Sequence, residues 1–169
     1  MFEVCTTIHT DGYDQYAKNN FKSFVDFWPN NITLHAFMEG PYDPIISHKI
    51  KYYDFFKEEP ELKNFLERNQ NRVWKPKEKL KSDKTNWKKF CFKSFAMYRA
   101  SQIIKSDYLI WLDADIITTD KFQIDEMNRY IDPSKFCSYL NRDKHLKNNL
   151  GMRHLLSSET GFIIFNLKH

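Results

Sequence analysis

Tyr108-Leu109-Ile110-Trp111-Leu112-Asp113-Ala114-Asp115 is the stretch on which the fold turns, because five apolar or aromatic residues break abruptly into two carboxylates separated by one residue. A run without polar alternation suits a strand covered on both faces, as in a parallel sheet between helices. If the backbone stays extended past Leu112, Asp113 and Asp115 point to the same side, since side chains alternate with a period of two. Two hard oxygen donors then stand at the carboxyl end of a central strand, where open α/β sheets hold their ligands. Such donors match Mg²⁺ or Mn²⁺, which complete their shells with water and phosphate oxygens.

The rest of the chain frames this strand. With 169 residues, 41% hydrophobic and 17% aromatic, it has the composition of one globular domain. Lys and Arg number 26 against 22 Asp and Glu, a net charge of +4, which is too modest to argue for a nucleic acid as partner and suits a small anionic ligand. Cys5, Cys91 and Cys137 are far apart and set among apolar neighbours, so they read as reduced core thiols. The sequence shows no leader and no apolar stretch long enough for a bilayer, and the expected location is cytoplasmic.

Working outward, residues 2–8 form the first strand, with Thr10-Asp11-Gly12 as turn chemistry. Tyr16, Ala17, Phe21, Phe24 and Val25 recur at helical spacing over 13–27, and Trp28-Pro29-Asn30-Asn31 ends that helix. Strands are expected over 32–38 and 50–56, and a helix over 59–69. The lysine-rich residues 71–86 lack periodicity and read as a solvated loop rather than a phosphate-covering flap. Asn86 caps a helix reaching Ile104 whose apolar stripe is Phe92, Phe95, Ala96, Ala100 and Ile103, with Lys89 and Lys93 on another face. A short helix over 123–131, a strand over 136–140, a polar loop over 141–158 and a strand over 161–167 complete the chain. No internal repeat or composition shift marks a second domain.

The run Ser106 to Ile117, preceded by a Lys-bearing amphipathic helix, resembles the nucleotide-binding half of GT-A fold glycosyltransferases, above all the glycogenin-like and lipopolysaccharide galactosyltransferase-like branch. Val4-Cys5-Thr6-Thr7-Ile8 is similar to the family's first strand, and Glu159-Thr160-Gly161-Phe162-Ile163-Ile164-Phe165-Asn166-Leu167 to the strand after its metal motif. The resemblance implies a three-layer α/β/α nucleotide-diphospho-sugar transferase domain over 1–169, with a mainly parallel sheet. It implies Asp115 as principal metal ligand and Asp113 as a ligand to the metal or the donor ribose. Thr6, Thr7 and Tyr16 would line the nucleoside pocket, and Lys93 would approach the diphosphate. The implied reaction is metal-dependent transfer from a nucleoside-diphosphate sugar, most simply a UDP-sugar, to a glycan, lipid or protein acceptor.

An inverting enzyme also needs a general base, and Glu159, beside Thr160-Gly161, is the best acidic candidate. The family carries a further segment with an additional metal ligand, often His, and much of the acceptor site. Because this sequence stops at His169, it reads as a fragment, a donor-binding half that needs a partner, or a small enzyme; His145, His154 and His169 are candidates for a substituting ligand. A core face left open by such a missing segment favours self-association.

Two rival classes follow from the same residues. A phosphatase with Asp113 as nucleophile needs Thr or Val two residues after the second Asp, where Ile117 stands. A nucleotide-sugar-binding protein without turnover needs only the donor half. A nucleic-acid role is weakest, because the aromatic residues fall at core positions rather than among the lysines.

Overall fold

The computed structural model of the chain describes residues 1–71, 86–141 and 158–169. Six strands form one sheet: β1 (Phe2–Ile8), β2 (Leu34–Met38), β3 (Ile50–Asp54), β4 (Tyr108–Leu112), β5 (Cys137–Asn141) and β6 (Ser158–Asn166), in the order β3-β2-β1-β4-β6-β5. The pairs β3-β2, β2-β1 and β1-β4 are parallel, whereas β6 runs antiparallel to both β4 and β5. The mostly parallel order expected from the sequence is therefore present, with β6 as the one reversed strand.

The near-continuous burial of β1, β2 and β4 has the expected cause, since helices cover both faces. On one side lies α2 (Lys18–Phe27), whose residues Phe21 and Phe24, with Ala17 before it and Trp28 after, recur every three or four positions and are buried against Val4, Ile8, Ile110 and Leu112. On the other lie α4 (Pro60–Asn69) and α5 (Asn86–Ile103), with Leu62, Ala96 and Ala100 packed against Cys5, Leu109 and Trp111. Alanine at the α5 contact lets that helix sit close to the sheet. Pro60 opens α4, where its missing N–H costs nothing.

Several boundaries differ from the sequence reading: β6, expected over 161–167, already begins at Ser158, and β2, expected over 32–38, begins at Leu34. The strand expected over 50–56 ends at Asp54, whose carboxylate accepts the Lys57 N–H at 3.2 Å and starts the short helix α3 (Phe55–Glu58), burying Phe55. The helix expected over 13–27 begins as a short α-helical turn, α1 (Thr10–Gly12), passes through a π-helical turn at Tyr13–Ala17, and only then becomes α2. The helix expected over 123–131 shortens to α6 (Ile124–Asn128). Most of the lysine-rich loop and of the polar loop over 141–158 lies outside the described residues.

Cys5 is fully buried, and Cys91 and Cys137 are half-buried. Among the described residues no helix is long and apolar enough to cross a membrane.

Candidate functional site

The strand order reverses between β1 and β4: the chain proceeds outward through β2 and β3, then returns to the other side of β1. Ligands of open α/β sheets bind outside the carboxyl ends of the strands at such a switch point. Here that crevice is flanked by His9 after β1 and by Asp113 to Asp115 after β4.

Asp113 continues the alternation of β4. Leu109 and Trp111 face the α5 side, and Asp113 follows them there. Its Oδ1 accepts two hydrogen bonds, from Lys93 Nζ at 3.2 Å and from the Trp111 indole N–H at 2.5 Å, while Lys93 Nζ stands 4.8 Å from the centre of the Trp111 ring. Lys93 is thus not on a solvated face. It is three residues before Ala96 and seven before Ala100, on the helix stripe that meets the sheet, and its side chain is 15% exposed.

The backbone does not stay extended beyond Asp113, so the alternation that would set both carboxylates on one side of a strand is broken there. The Ile116 N–H returns to the Asp113 carbonyl at 3.1 Å, closing a turn over 113–116. Asp115 is exposed in that turn, and the phenol of Tyr16 is pushed up in pKa first by burial and then by the charges of Asp115 and Glu39. Three side chains of the α2 segment pin the loop behind it. Asn20 Nδ2 donates to the Ile116 carbonyl at 2.5 Å, Ser23 Oγ accepts the Thr118 N–H at 3.1 Å, and the Trp28 indole N–H donates to Thr118 Oγ1 at 2.8 Å.

Tyr16 is itself held. His9 Nδ1 accepts the Gly12 N–H at 3.1 Å, so the neutral ring carries its proton on Nε2, which is 3.1 Å from the Tyr16 hydroxyl and donates to it. The tyrosine ring lies over Gly12 so closely that a Cβ there would overlap its hydroxyl. Across β2, the Glu39 N–H donates to the Ile8 carbonyl at 3.0 Å, and burial raises the Glu39 carboxyl to about 7.

The threonines stand differently. Thr6 is fully buried within β1, in register with Ala36, and its Oγ1 has no hydrogen-bond partner among the described residues, so it is closed off from solvent there. The cause is its place in a central strand covered by helices on both faces. Thr7, half-buried, donates through Oγ1 to the Phe37 carbonyl at 3.1 Å.

Because β6 is antiparallel to β4, its beginning lies at the same edge of the sheet as the end of β4. The Asp113 N–H donates to the Gly161 carbonyl at 2.7 Å, and Glu159 is two residues earlier on the same strand. The backbone therefore brings Glu159 to the crevice end of the sheet; its side chain lies outside the described residues, as do His145 and His154. His169 is at the opposite end, where its Nε2 lies 2.9 Å from the Ser134 carbonyl, so it is no substituting ligand for this site. The reversal of β6 explains this, since it carries the chain away from the crevice.

His9, Glu39, Asn20 and Trp111 escaped the sequence reading. Asn20 left a signal, a polar residue on the buried stripe of Ala17, Phe21 and Phe24. Trp111 left a fainter one, two residues before Asp113 on the same strand face.

No family model matches this sequence, and no curated protein matches it. Solved structures do. The chain superposes on galactosyltransferase LgtC, solved in complex with donor and acceptor sugar analogs, with a TM-score of 0.54 and 16% identity, covering 98% of this chain and 58% of that one. It superposes on mouse xyloside xylosyltransferase 1, in its apo form, with a TM-score of 0.60 and 12% identity, covering 99% and 67%. The fold is therefore the GT-A fold of these glycosyltransferases, and the chain spans little more than half the length of LgtC and two thirds of the mouse enzyme.

Proposed function

We propose that this chain binds a nucleoside-diphosphate sugar, with a UDP-sugar as the leading donor, at the switch point between β1 and β4, and acts in transfer of the sugar to a glycan, lipid or protein acceptor. The observation that carries the reading is the pair of carboxylates there, Asp113 fixed by Lys93 and Trp111 and Asp115 exposed in the turn that follows, its charge felt at Tyr16. Among the described residues nothing donates to Asp113 Oδ2 or to the Asp115 carboxylate, and no third His, Cys, Asp or Glu joins them in a cluster. Two open hard-oxygen donors fit Mn²⁺ or Mg²⁺ that takes its other ligands from phosphate and water. Such an ion, when bound, supplies Lewis-acid stabilisation of the departing diphosphate.

The chain's own residues provide the rest. Lys93 brings a cation to the diphosphate side of the crevice and Tyr16, oriented by His9, offers an aromatic wall to the nucleoside. Glu159, whose backbone stands at the crevice end of the sheet, is the residue we assign as base for an acceptor hydroxyl in an inverting reaction. The test is release of UDP and transfer of sugar from UDP-glucose, UDP-galactose and UDP-xylose, each with and without Mn²⁺. Metal-dependent release lost in Asp115→Asn is the expected result. Binding without release leaves a nucleotide-sugar-binding protein without turnover. Hydrolysis of a phosphomonoester with no nucleotide requirement contradicts the reading.

A further inference from the structure

We infer that Trp111 is a positioning residue of the donor site: its indole N–H, together with Lys93, fixes Oδ1 of Asp113 so that Oδ2 is the oxygen offered to a ligand. This rests on the donor-site reading above.

A carboxylate turns easily about its last torsion, because sp³–sp² rotations are broad and nearly two-fold. A free Asp113 would present either oxygen over a wide arc. Two donors on one oxygen end that freedom. Lys93 alone would not suffice, because an ammonium is a point charge on a flexible stem and follows the carboxylate. Trp111 is different. It is 2% exposed and in register with Cys5 of β1 and Ile163 of β6, so strands hold it on both edges. Indole nitrogen is a donor only, and cannot itself compete as a metal ligand. The three groups close a triangle: indole to carboxylate, ammonium to carboxylate, and ammonium over the indole ring, where the ring's quadrupole adds attraction. The orientation of Asp113 is thus settled before any ligand arrives, which lowers the ordering cost of binding.

The geometry also defines the discriminating substitution. Trp111→Phe keeps an aromatic ring in the core and under Lys93 while deleting the N–H. A merely structural tryptophan would change stability and leave ligand affinity at constant fold; a positioning one does the reverse.

Two measurements test this. On the ligand-free protein, the indole N–H proton resonance of Trp111 is expected downfield and moves on Asp113→Ala, while that of Trp28, bonded to Thr118, stays in place. Free Mn²⁺, followed by electron paramagnetic resonance in the presence of UDP, is expected to show about tenfold weaker binding in Trp111→Phe, with Asp113→Asn and the double variant equal to each other because both act through one carboxylate. A Trp111 resonance indifferent to Asp113→Ala overturns the inference even if Trp111→Phe fails to fold. Wild-type affinity in a folded Trp111→Phe overturns it too. If the indole bond is seen but the wild-type protein takes up no Mn²⁺ with UDP, the donor-site reading falls and the role of Trp111 in that site falls with it.

Discussion

Asn20 donates through Nδ2 to the carbonyl of Ile116, 96 residues further along the chain, and so ties α2 to the loop that carries Asp115. The bond is formed by a residue that is 1% exposed, on a buried helix face that it shares with Phe21, Ser23 and Phe24. Removing it by Asn20→Ala leaves a carbonyl without its donor, and the expected loss of stability is about 1–3 kcal/mol, measured by urea unfolding. Mn²⁺-dependent nucleotide affinity should fall in parallel. A loss within the noise of the fit would mean that the loop is held by Ser23 and Trp28 alone.

Lys93 and Asp113 form an ion pair of which the lysine is largely buried and the aspartate 38% exposed. Exposure discounts its worth, and Lys93→Ala should cost about 1 kcal/mol, because Asp113 retains Trp111 as a donor. At this chain length that is roughly 2–4 °C in thermal midpoint. Nucleoside diphosphate binding should suffer more than nucleoside binding if, as proposed, the charge lost is the one that meets the phosphates. Equal losses for UDP and uridine would remove Lys93 from the diphosphate.

Gly12 owes its place to the ring of Tyr16, which a Cβ would strike. Gly12→Ala should destabilise by about 1–3 kcal/mol through overpacking and weaken the His9–Tyr16 contact. Adding Tyr16→Ala to that variant removes the obstacle, so the glycine substitution should then cost little. A penalty that persists in the double variant would place the strain in the backbone.

On the α5 side of the sheet, the buried His35 lies 2.5 Å through Nε2 from Glu3 and 2.9 Å through Nδ1 from the Tyr53 hydroxyl. Its pKa is lowered, above all by burial, although Glu3 opposes that shift. Burial also works to raise Glu3, but hydrogen bonds from Ser106 and His35 outweigh it and the net direction is down. Both groups bind protons more readily in the unfolded chain, so stability rises with pH through each range. The His35 contribution should be present above about pH 6.5, the ordinary histidine value, and fade below it, followed by that of Glu3 in the carboxylate range. Glu39, raised to about 7 by burial, acts with the opposite sign between the ordinary carboxylate value and its own. The clean comparison is therefore between variants: unfolding free energies of His35→Gln should depend less on pH than those of the wild type between pH 5 and 7. An unchanged slope would contradict the assignment.

The sheet was legible because its signals are local and strong. Five apolar residues before Asp113, the heptad-like stripe of Ala17, Phe21, Phe24 and Trp28, and the alanines of α5 each follow from burial on one face or two. The position of the aspartates was legible too, at the end of a central strand. Their relative orientation was not. It hinges on one hydrogen bond from Ile116 to Asp113 that breaks the alternation, and on Asn20, Ser23 and Trp28 reaching the loop from far away in sequence. Periodicity does not report such contacts. The rotation of α5 is a middle case: counting back from Ala96 and Ala100 puts Lys93 on the packed face, but the phenylalanines at 92 and 95 pull the apparent stripe aside.

The most direct test of the donor site is thermal unfolding with UDP, GDP, UDP-glucose and UDP-galactose, each with and without Mn²⁺, on the wild type and Asp115→Asn. Ligand at about 100 times its dissociation constant stabilises the native state by about 2.7 kcal/mol, or roughly 5–10 °C. The account predicts a shift that requires nucleotide and metal together, is larger for UDP than for GDP, and disappears in Asp115→Asn. No shift with any combination, or the same shift in the variant, would contradict it.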